Sequence, residues 1–175
     1  MNYNNIDIVV RGEGEVSFWE IIRALEEKRD YLTIPGTVAR EGGNIINNPQ
    51  RNYLKDLDSL PFPAYHLLPM EIYFKTAKDS PYLMHSRMSG IISSRGCPGD
   101  CCYCSIHSVW GHTWRGRSPG NIIDEMEFLM QNYGVKEFSF LDDSVACSKE
   151  RMGRICDEII KRKLINIKTI LKNYS

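Results

Sequence analysis

Four of the chain's six cysteines fall in one short stretch, Cys97-Pro-Gly-Asp-Cys101-Cys102-Tyr-Cys104. No other feature constrains the fold as strongly, because thiols packed this densely must turn toward one small object. Cys97, Cys101 and Cys104 have the spacing C-x3-C-x2-C, and Cys102 is an extra thiol inside it. Pro98-Gly99 carries the signature of a type II turn, with Pro at the second position and Gly at the third. That turn predicts Cys101 folded back toward Cys97. Gly96, just before the motif, admits dihedrals closed to other residues.

The start, MNYNNIDIVVRGEGE, has neither a basic leader nor an apolar stretch of secretory length. Apolar runs such as Ile6–Val10 and Phe138–Leu141 are far below the roughly 18 residues of a membrane helix. A cytoplasmic, reducing setting is therefore expected. Clustered cysteines there read as metal ligands or catalytic groups rather than disulfides. The 175 residues suffice for one domain, or for parts of two. Zero net charge gives no basic field directed at nucleic acid or anionic membrane.

Along the chain, Ile6–Val10 reads as a strand rich in branched residues. A helix follows, with Phe18, Ile21, Ile22 and Leu25 on one face and Glu20, Arg23, Glu26 and Glu27 on the other. Thr37–Arg40 and Asn44–Asn47 flank Gly42-Gly43 and predict a hairpin. LDSLPFPAYHLLP, from Leu57 to Pro69, reads as an ordered, proline-rich linker. The second half alternates: strand at Gly90–Ser94, helix opened by Ser118-Pro119 and ended by Gly134, strand at Glu137–Leu141, helix capped by Ser148. A third strand is expected from Ile165 to Ile170. This pattern predicts βαβ units and a parallel sheet, hence an α/β fold.

Three readings of the cysteines stay open on spacing alone. His107 could complete a Cys3His zinc site, although zinc ribbons bring a second distant CxxC pair and none exists here. Cys147 could close a ferredoxin-type cluster, from beyond a helix and a strand. A [4Fe–4S] cluster held by only three thiolates would leave one iron open, as a catalytic centre requires.

The wider stretch SSRGCPGDCCYCSIHSVWGHTWRGRSPGNIIDEMEFLMQNYGVKEFSFLDDS resembles the radical S-adenosylmethionine (SAM) enzymes. In particular it resembles the subgroup whose barrel follows a cobalamin-binding domain. The features that carry this are Ser94-Arg-Gly-Cys-Pro98, Trp110-Gly111, Trp114-Arg-x-Arg-Ser-Pro119 and Asp142-Asp143, preceded by DIVVRGEGE and LPFPAYHLLP. The resemblance implies the first two to three βα units of a TIM-like radical SAM barrel over residues 89–175. It implies a linker over 57–88, and the tail of a Rossmann-like cobalamin-binding domain over 1–56. It further implies that Cys97, Cys101 and Cys104 hold a [4Fe–4S] cluster whose open iron chelates SAM. Reductive cleavage then yields a 5′-deoxyadenosyl radical, for methylation or ring remodelling of an unactivated carbon. Tyr103, Asp142 and Asp143 fall among the implied cofactor-binding positions. The implied partners are SAM, a small-molecule substrate and an electron donor such as flavodoxin or ferredoxin, with no nucleic acid and no membrane.

The sequence departs from the subgroup in places. No D-x-H-x-x-G motif surrounds His66, His85, His107 or His112, so cobalamin is expected only in a full-length protein. Val145 stands where an aromatic usually follows the Asp-Asp pair, and the match fades after Lys168. At about 30 residues per βα unit, residues 90–175 hold fewer than three, and the chain is expected to be a fragment.

Asp142-Asp143 ends one strand and the cysteine loop follows another, so both are expected on the same face of a parallel sheet. Arg115 and Arg117 are further candidates to pair with a carboxylate or phosphate, against the plainer reading of a solvated loop. Trp110 and Trp114 read as packing groups or a pocket wall. His107 and His112 read as polar loop residues, and Cys156 as a buried core thiol. Gly12-Glu-Gly14 is not a phosphate loop, because Glu13 and Glu15 would repel the anion. A non-catalytic iron–sulfur or zinc module, such as an electron carrier, is the rival from another class and would supply a fourth ligand. A methylthiotransferase-like protein would add a second cluster domain and a basic RNA-binding module, and neither is visible.

Overall fold

The computed structural model describes residues 5–77, 85–164 and 168–171. In chain order the elements are β1 (Ile8–Val10), α1 (Glu15–Glu26), β2 (Thr37–Glu41), β3 (Asn44–Asn47), α2 (Met70–Ala77), β4 (Met88–Ile91), β5 (Ser94–Arg95), α3 (His107–Trp110), β6 (Arg115–Gly116), α4 (Pro119–Tyr133), β7 (Glu137–Phe140), α5 (Lys149–Lys161) and β8 (Lys168–Leu171). They form two compact units, Met1–Lys55 with Gly99–His112, and Asp56–Pro98 with Thr113–Ser175. No helix among the described residues is long and apolar enough to cross a membrane.

In the first unit β1, β2 and β3 form an antiparallel sheet in that order. The hairpin turns at Gly42 and Gly43, whose φ angles of 52° and 89° match the twist that two-residue turns need. The hairpin expected from Thr37–Arg40 and Asn44–Asn47 is thus formed.

Helix α1 departs from the sequence reading. Its inward side is Ser17, Ile21 and Ala24, packed with Ile34, Ile8, Val10 and Tyr31. Phe18, Ile22 and Leu25 stand 59%, 40% and 50% exposed, and only Ile21 of the expected face is buried. Small residues decide the face. A Cβ at Gly36 would lie 2.9 Å from Ser17 Oγ, so Ser17 and Gly36 together permit a close approach. Ser17 Oγ is satisfied by donating to Pro35 O at 2.8 Å and accepting from Arg51 Nε at 2.9 Å. Glu13, set aside as a phosphate-loop residue, is buried and accepts from the Leu54 backbone N–H at 2.7 Å.

In the second unit the elements β4–α4–β7–α5–β8 alternate as expected, and β4, β7 and β8 pair parallel in the order β4-β7-β8. Residues 165–167 of the expected third strand lie outside the described residues, while Lys168–Leu171 pairs with Glu137–Phe140. The central strand β7 is buried at all four positions. Ser118 Oγ accepts from Asn121 N at 3.2 Å, Pro119 opens α4, and Gly134 closes it at φ 64°. Ile122, Ile123, Met126 and Leu129 of α4 pack with Phe138 and Phe140 of β7, all essentially inaccessible to solvent. Helix α5 is capped by Ser148, whose Oγ accepts from Arg151 N at 3.2 Å. It inserts Ile155, flanked by Met152 and Ile159. Cys156 is exposed, which corrects the core-thiol expectation. Residue 156 lies about 100° round the helix from Ile155, enough to leave the narrow buried stripe.

The Leu57–Pro69 segment contributes Leu57 and Tyr65 to the buried interior. Tyr65 Oη donates to Glu125 Oε1 at 2.6 Å, and Arg117 Nη1 donates to Glu125 Oε2 at 2.5 Å. Burial, and then the Glu125 carboxylate beside it, push the Tyr65 hydroxyl well above the usual phenol range. Glu125 is therefore a buried carboxylate with one neutral and one charged partner. Such a group costs little while paired and much when a partner is lost. Tyr65→Phe removes one donor from a carboxylate that water cannot reach. It is expected to destabilise the chain by about 1–3 kcal/mol, read as a lower urea midpoint at unchanged slope. An unchanged midpoint would show that Glu125 finds another donor.

Candidate functional site

Strands β4 and β7 run parallel with Ile91 opposite Phe140, so whatever follows them emerges at one end of the sheet. After β4 the chain runs through Ile92 and Ser93 into β5. It then enters the cysteine loop and returns as β6, with Ser94 opposite Gly116 and Arg95 opposite Arg115. A two-residue ribbon thus closes the base of the loop.

Asp142, two residues past β7, turns inward and is 7% exposed. Its Oδ1 accepts from Ser93 Oγ at 2.9 Å and from Ser94 Oγ at 2.5 Å, and the Ser93 N–H donates to both carboxylate oxygens at 3.1 and 3.2 Å. On the other side, Ser93 O accepts from Arg151 Nη2 at 2.6 Å and from the Arg117 N–H at 2.9 Å. Arg151 Nε donates to Arg117 O at 2.8 Å. The Arg151 guanidinium lies 5.3 Å from the Trp114 ring centroid, and Trp114 Nε1 donates to Ser144 O at 3.0 Å. Trp114 is thus the packing group that was expected.

Burial lowers the pKa of Arg151; the Asp142 charge opposes this, and the Arg117 charge adds to it. Asp143 is exposed, yet partial desolvation, followed by the neighbouring Asp142 charge, raises its pKa above the ordinary aspartate value. The two carboxylates expected on one face are therefore both at this end, in different states. Asp142 is engaged internally and Asp143 faces outward.

Among the four loop cysteines, none of them in a disulfide, Cys97 is half-buried, and Cys101, Cys102 and Cys104 are exposed. The predicted type II turn at Pro98-Gly99 is not formed. The left-handed φ of 83° falls on Gly96, where the chain leaves β5, while Gly99 is absent from the positive-φ positions. The turn that forms is Cys101–Cys104, closed by the Cys104 N–H on Cys101 O at 3.0 Å. Tyr103 sits in this turn, with its hydroxyl pKa raised by a hydrogen bond to Cys101 and then by the charges of Cys101 and Cys104. Among the described residues, no group of three or more His, Cys, Asp and Glu side chains is gathered so as to hold a metal ion. The donor set itself, dominated by thiols, fits a thiophilic centre such as an iron–sulfur cluster rather than a hard cation. Of the candidate fourth ligands, His107 stacks on His112 with centroids 3.7 Å apart, and Cys147 Sγ lies 3.0 Å from Ser144 Oγ.

Arg115 and Arg117 do not lie in a solvated loop. Arg115 is 8% exposed within β6. Arg117 is held by Glu125, by Asn121 Oδ1 at 2.7 Å and by Ile92 O at 3.1 Å, so the carboxylate it pairs with is the chain's own. Sequence reasoning missed Ser93, Ser94, Glu125 and Arg151 as members of this arrangement. Two of them left a trace. Glu125 interrupts the apolar run Ile122-Ile123-x-x-Met126, and Arg151 precedes Ile155 by one helical turn. A charge on an inward stripe signals a buried partner. Ser94 stood in the motif before Cys97 with no role attached, and Ser93 left no trace.

No protein-family model matches the chain. Among curated proteins it is 40% identical over 146 residues to an uncharacterised methyltransferase of Pyrococcus horikoshii, covering 83% of this chain and 30% of that one. It is 31% identical to a cytidylyl-2-hydroxyethylphosphonate methyltransferase of Streptomyces wedmorensis, with 81% and 30% covered. It is 28% identical to the cobalamin-dependent radical SAM methyltransferase TokK of Streptomyces tokunonensis, with 73% and 18% covered. Among solved structures, the radical SAM methyltransferase TsrM of Kitasatospora setae shares the fold. With tryptophan and a SAM analogue bound it superposes at a TM-score of 0.66 and 18% identity, over 91% of this chain and 30% of that one. With cobalamin and a [4Fe–4S] cluster bound the TM-score is 0.63. The chain spans less than a third of the length of these relatives.

The raised pKa of Asp143 has a sign that can be checked. Between its ordinary and its raised value the folded chain holds the proton more tightly than the unfolded chain, so stability falls as pH rises through that window. Asp143→Asn is therefore expected to raise the unfolding temperature slightly at pH 7, with the gain shrinking toward zero as pH falls to the ordinary aspartate value. A gain independent of pH would place its cause elsewhere than in the charge.

Proposed function

The chain belongs to the radical SAM enzymes, in the branch that also uses cobalamin, and from that premise we propose that it forms the opening βα units of a radical SAM core, with Cys97, Cys101 and Cys104 as the thiolate ligands of a [4Fe–4S] cluster. One observation carries this reading: a C-x3-C-x2-C loop leaves the end of β4 beside the end of β7, in a parallel sheet. At the C-terminal ends of parallel strands, loops meet over one face, and chemistry gathers there.

A cluster of this kind supplies the electron that cleaves SAM. The chain's own residues do the holding. Gly96 turns the backbone into the loop, and a single backbone turn joins Cys101 to Cys104. Tyr103 lies against that turn, 83% exposed, as a flat surface at the edge of the site. Asp143 faces outward at the same end as the loop exit, and it is the carboxylate free to accept a hydrogen bond from the amino group or ribose of SAM. In the whole protein this site serves methylation or ring remodelling of an unactivated carbon in a small molecule, with cobalamin held by segments outside this chain and electrons delivered by a flavodoxin- or ferredoxin-type donor.

The test is EPR spectroscopy of the anaerobically reconstituted, dithionite-reduced chain, with and without SAM. A [4Fe–4S]⁺ signal whose shape changes on adding SAM is expected. Separate Cys97→Ala, Cys101→Ala and Cys104→Ala substitutions should each abolish it, while Cys102→Ala should leave it. A chain that takes up one equivalent of zinc and no cluster would overturn the reading in favour of a zinc module. A cluster indifferent to SAM would point to a closed iron–sulfur site.

A further inference from the structure

The polar side chains around Ser93 form a clamp on the two ends of the cysteine loop. Asp142 accepts three donors, the Ser93 N–H and the Ser93 and Ser94 hydroxyls. That is close to the capacity of one carboxylate. Arg151 takes the outgoing chain at Ser93 O and the returning chain at Arg117 O with a single guanidinium. Gly116 leaves room for it, since a Cβ there would lie 2.8 Å from Arg151 Nε and 2.6 Å from Trp114 Cη2. The clamped segment leads through Ser94 and Arg95 to Cys97.

We propose that Asp142 and Arg151 are positioning residues, which fix the ends of the cysteine loop so that Cys97 is held ready for the cluster, and that Asp142 does not bind SAM. The proposal rests on the cluster reading for its purpose, while the clamp itself can be measured without any metal. A carboxylate spent on three donors has little left to offer a ligand. Fixing the loop ends in advance removes part of the chain entropy that cluster binding would otherwise oppose. Asp142→Asn keeps the shape but puts an NH2 group where donors already point, so it breaks the clamp with little change in volume. Ser94→Ala removes one hydrogen bond only.

The first measurement is alkylation of the metal-free 175-residue chain, followed by mass spectrometry at each cysteine. Half-buried Cys97 reports the loop, and exposed Cys156 on α5 is the internal reference. Asp142→Asn should speed Cys97 alkylation by about tenfold, the worth of one charge-assisted hydrogen bond, and Ser94→Ala should speed it by a smaller factor. Cys156 should be unaffected in both. Unchanged Cys97 rates overturn the proposal. If Asp142→Asn opens the whole chain and both cysteines speed up together, Ser94→Ala decides; a parallel rise there too overturns it.

The second measurement is the reconstituted cluster. Asp142→Asn should lose iron to a chelator several-fold faster than the parent, while whatever cluster remains still responds to SAM by EPR. Parent-like iron retention with a lost SAM response would make Asp142 a SAM ligand and overturn the proposal. A parent chain that holds no cluster would sink the cluster reading and leave the alkylation result standing.

Discussion

The arrangement at the end of the parallel sheet depends on one buried carboxylate. Asp142 is taken from water at the end of β7, where an isolated charge would be prohibitive, and is compensated entirely by local donors. Those donors belong to the chain that has just left β4. Two parallel strands, brought together by β-sheet hydrogen bonds and by the packing of α4 and α5, are thereby locked where they end. A parallel pair alone fixes the strands and leaves their exits free. The carboxylate turns those exits into a defined corner, from which the cysteine loop departs and to which it returns.

The same economy recurs one layer deeper. Burial depresses the pKa of Arg151, and the like charge of Arg117 nearby adds to that. Each is compensated by a different anion, Glu125 for Arg117 and Asp142 for Arg151. The pairs are linked through backbone: Ser93 O accepts from both arginines, one by side chain and one by main chain. Tyr65, from the segment before β4, completes Glu125. Buried networks of this kind add little net stability, but any partial version is costly. They therefore enforce one arrangement of the loop base over its alternatives.

Much of this fold was legible in the residues. Ser118-Pro119 and Gly134 marked both ends of α4, Ser148 marked the start of α5, and Gly42-Gly43 marked the hairpin, because caps and turns are decided within a few residues. The shared end of β4 and β7 followed from the strand–helix–strand alternation. What was not legible depended on distance in the chain. Ser93 and Asp142 lie 49 residues apart, and nothing local to either announces the other. The buried face of α1 was misread because hydrophobicity favoured Phe18, Ile22 and Leu25, while steric closeness at Gly36 selected Ser17 and Ala24. The turn at Pro98-Gly99 failed for a related reason. Left-handed backbone was needed where the chain leaves the β5–β6 ribbon, and Gly96 was already in that place.

The neighbouring aspartates show how a short motif can divide its labour. Extended backbone sends successive side chains to opposite sides, so an Asp-Asp pair at a strand end directs one carboxylate inward and one outward. The inward Asp142 is neutralised by donors that never leave. For the outward Asp143, partial desolvation and then its neighbour's fixed charge make ionisation harder, and a backbone hydrogen bond offsets them only in part. An anionic neighbour held in place also makes any arriving cation or hydrogen-bond donor more welcome at Asp143 than at a solitary surface aspartate. Structure and recognition are therefore not competing explanations of this pair. The residue spent on the fold is what gives the adjacent one its electrostatic character.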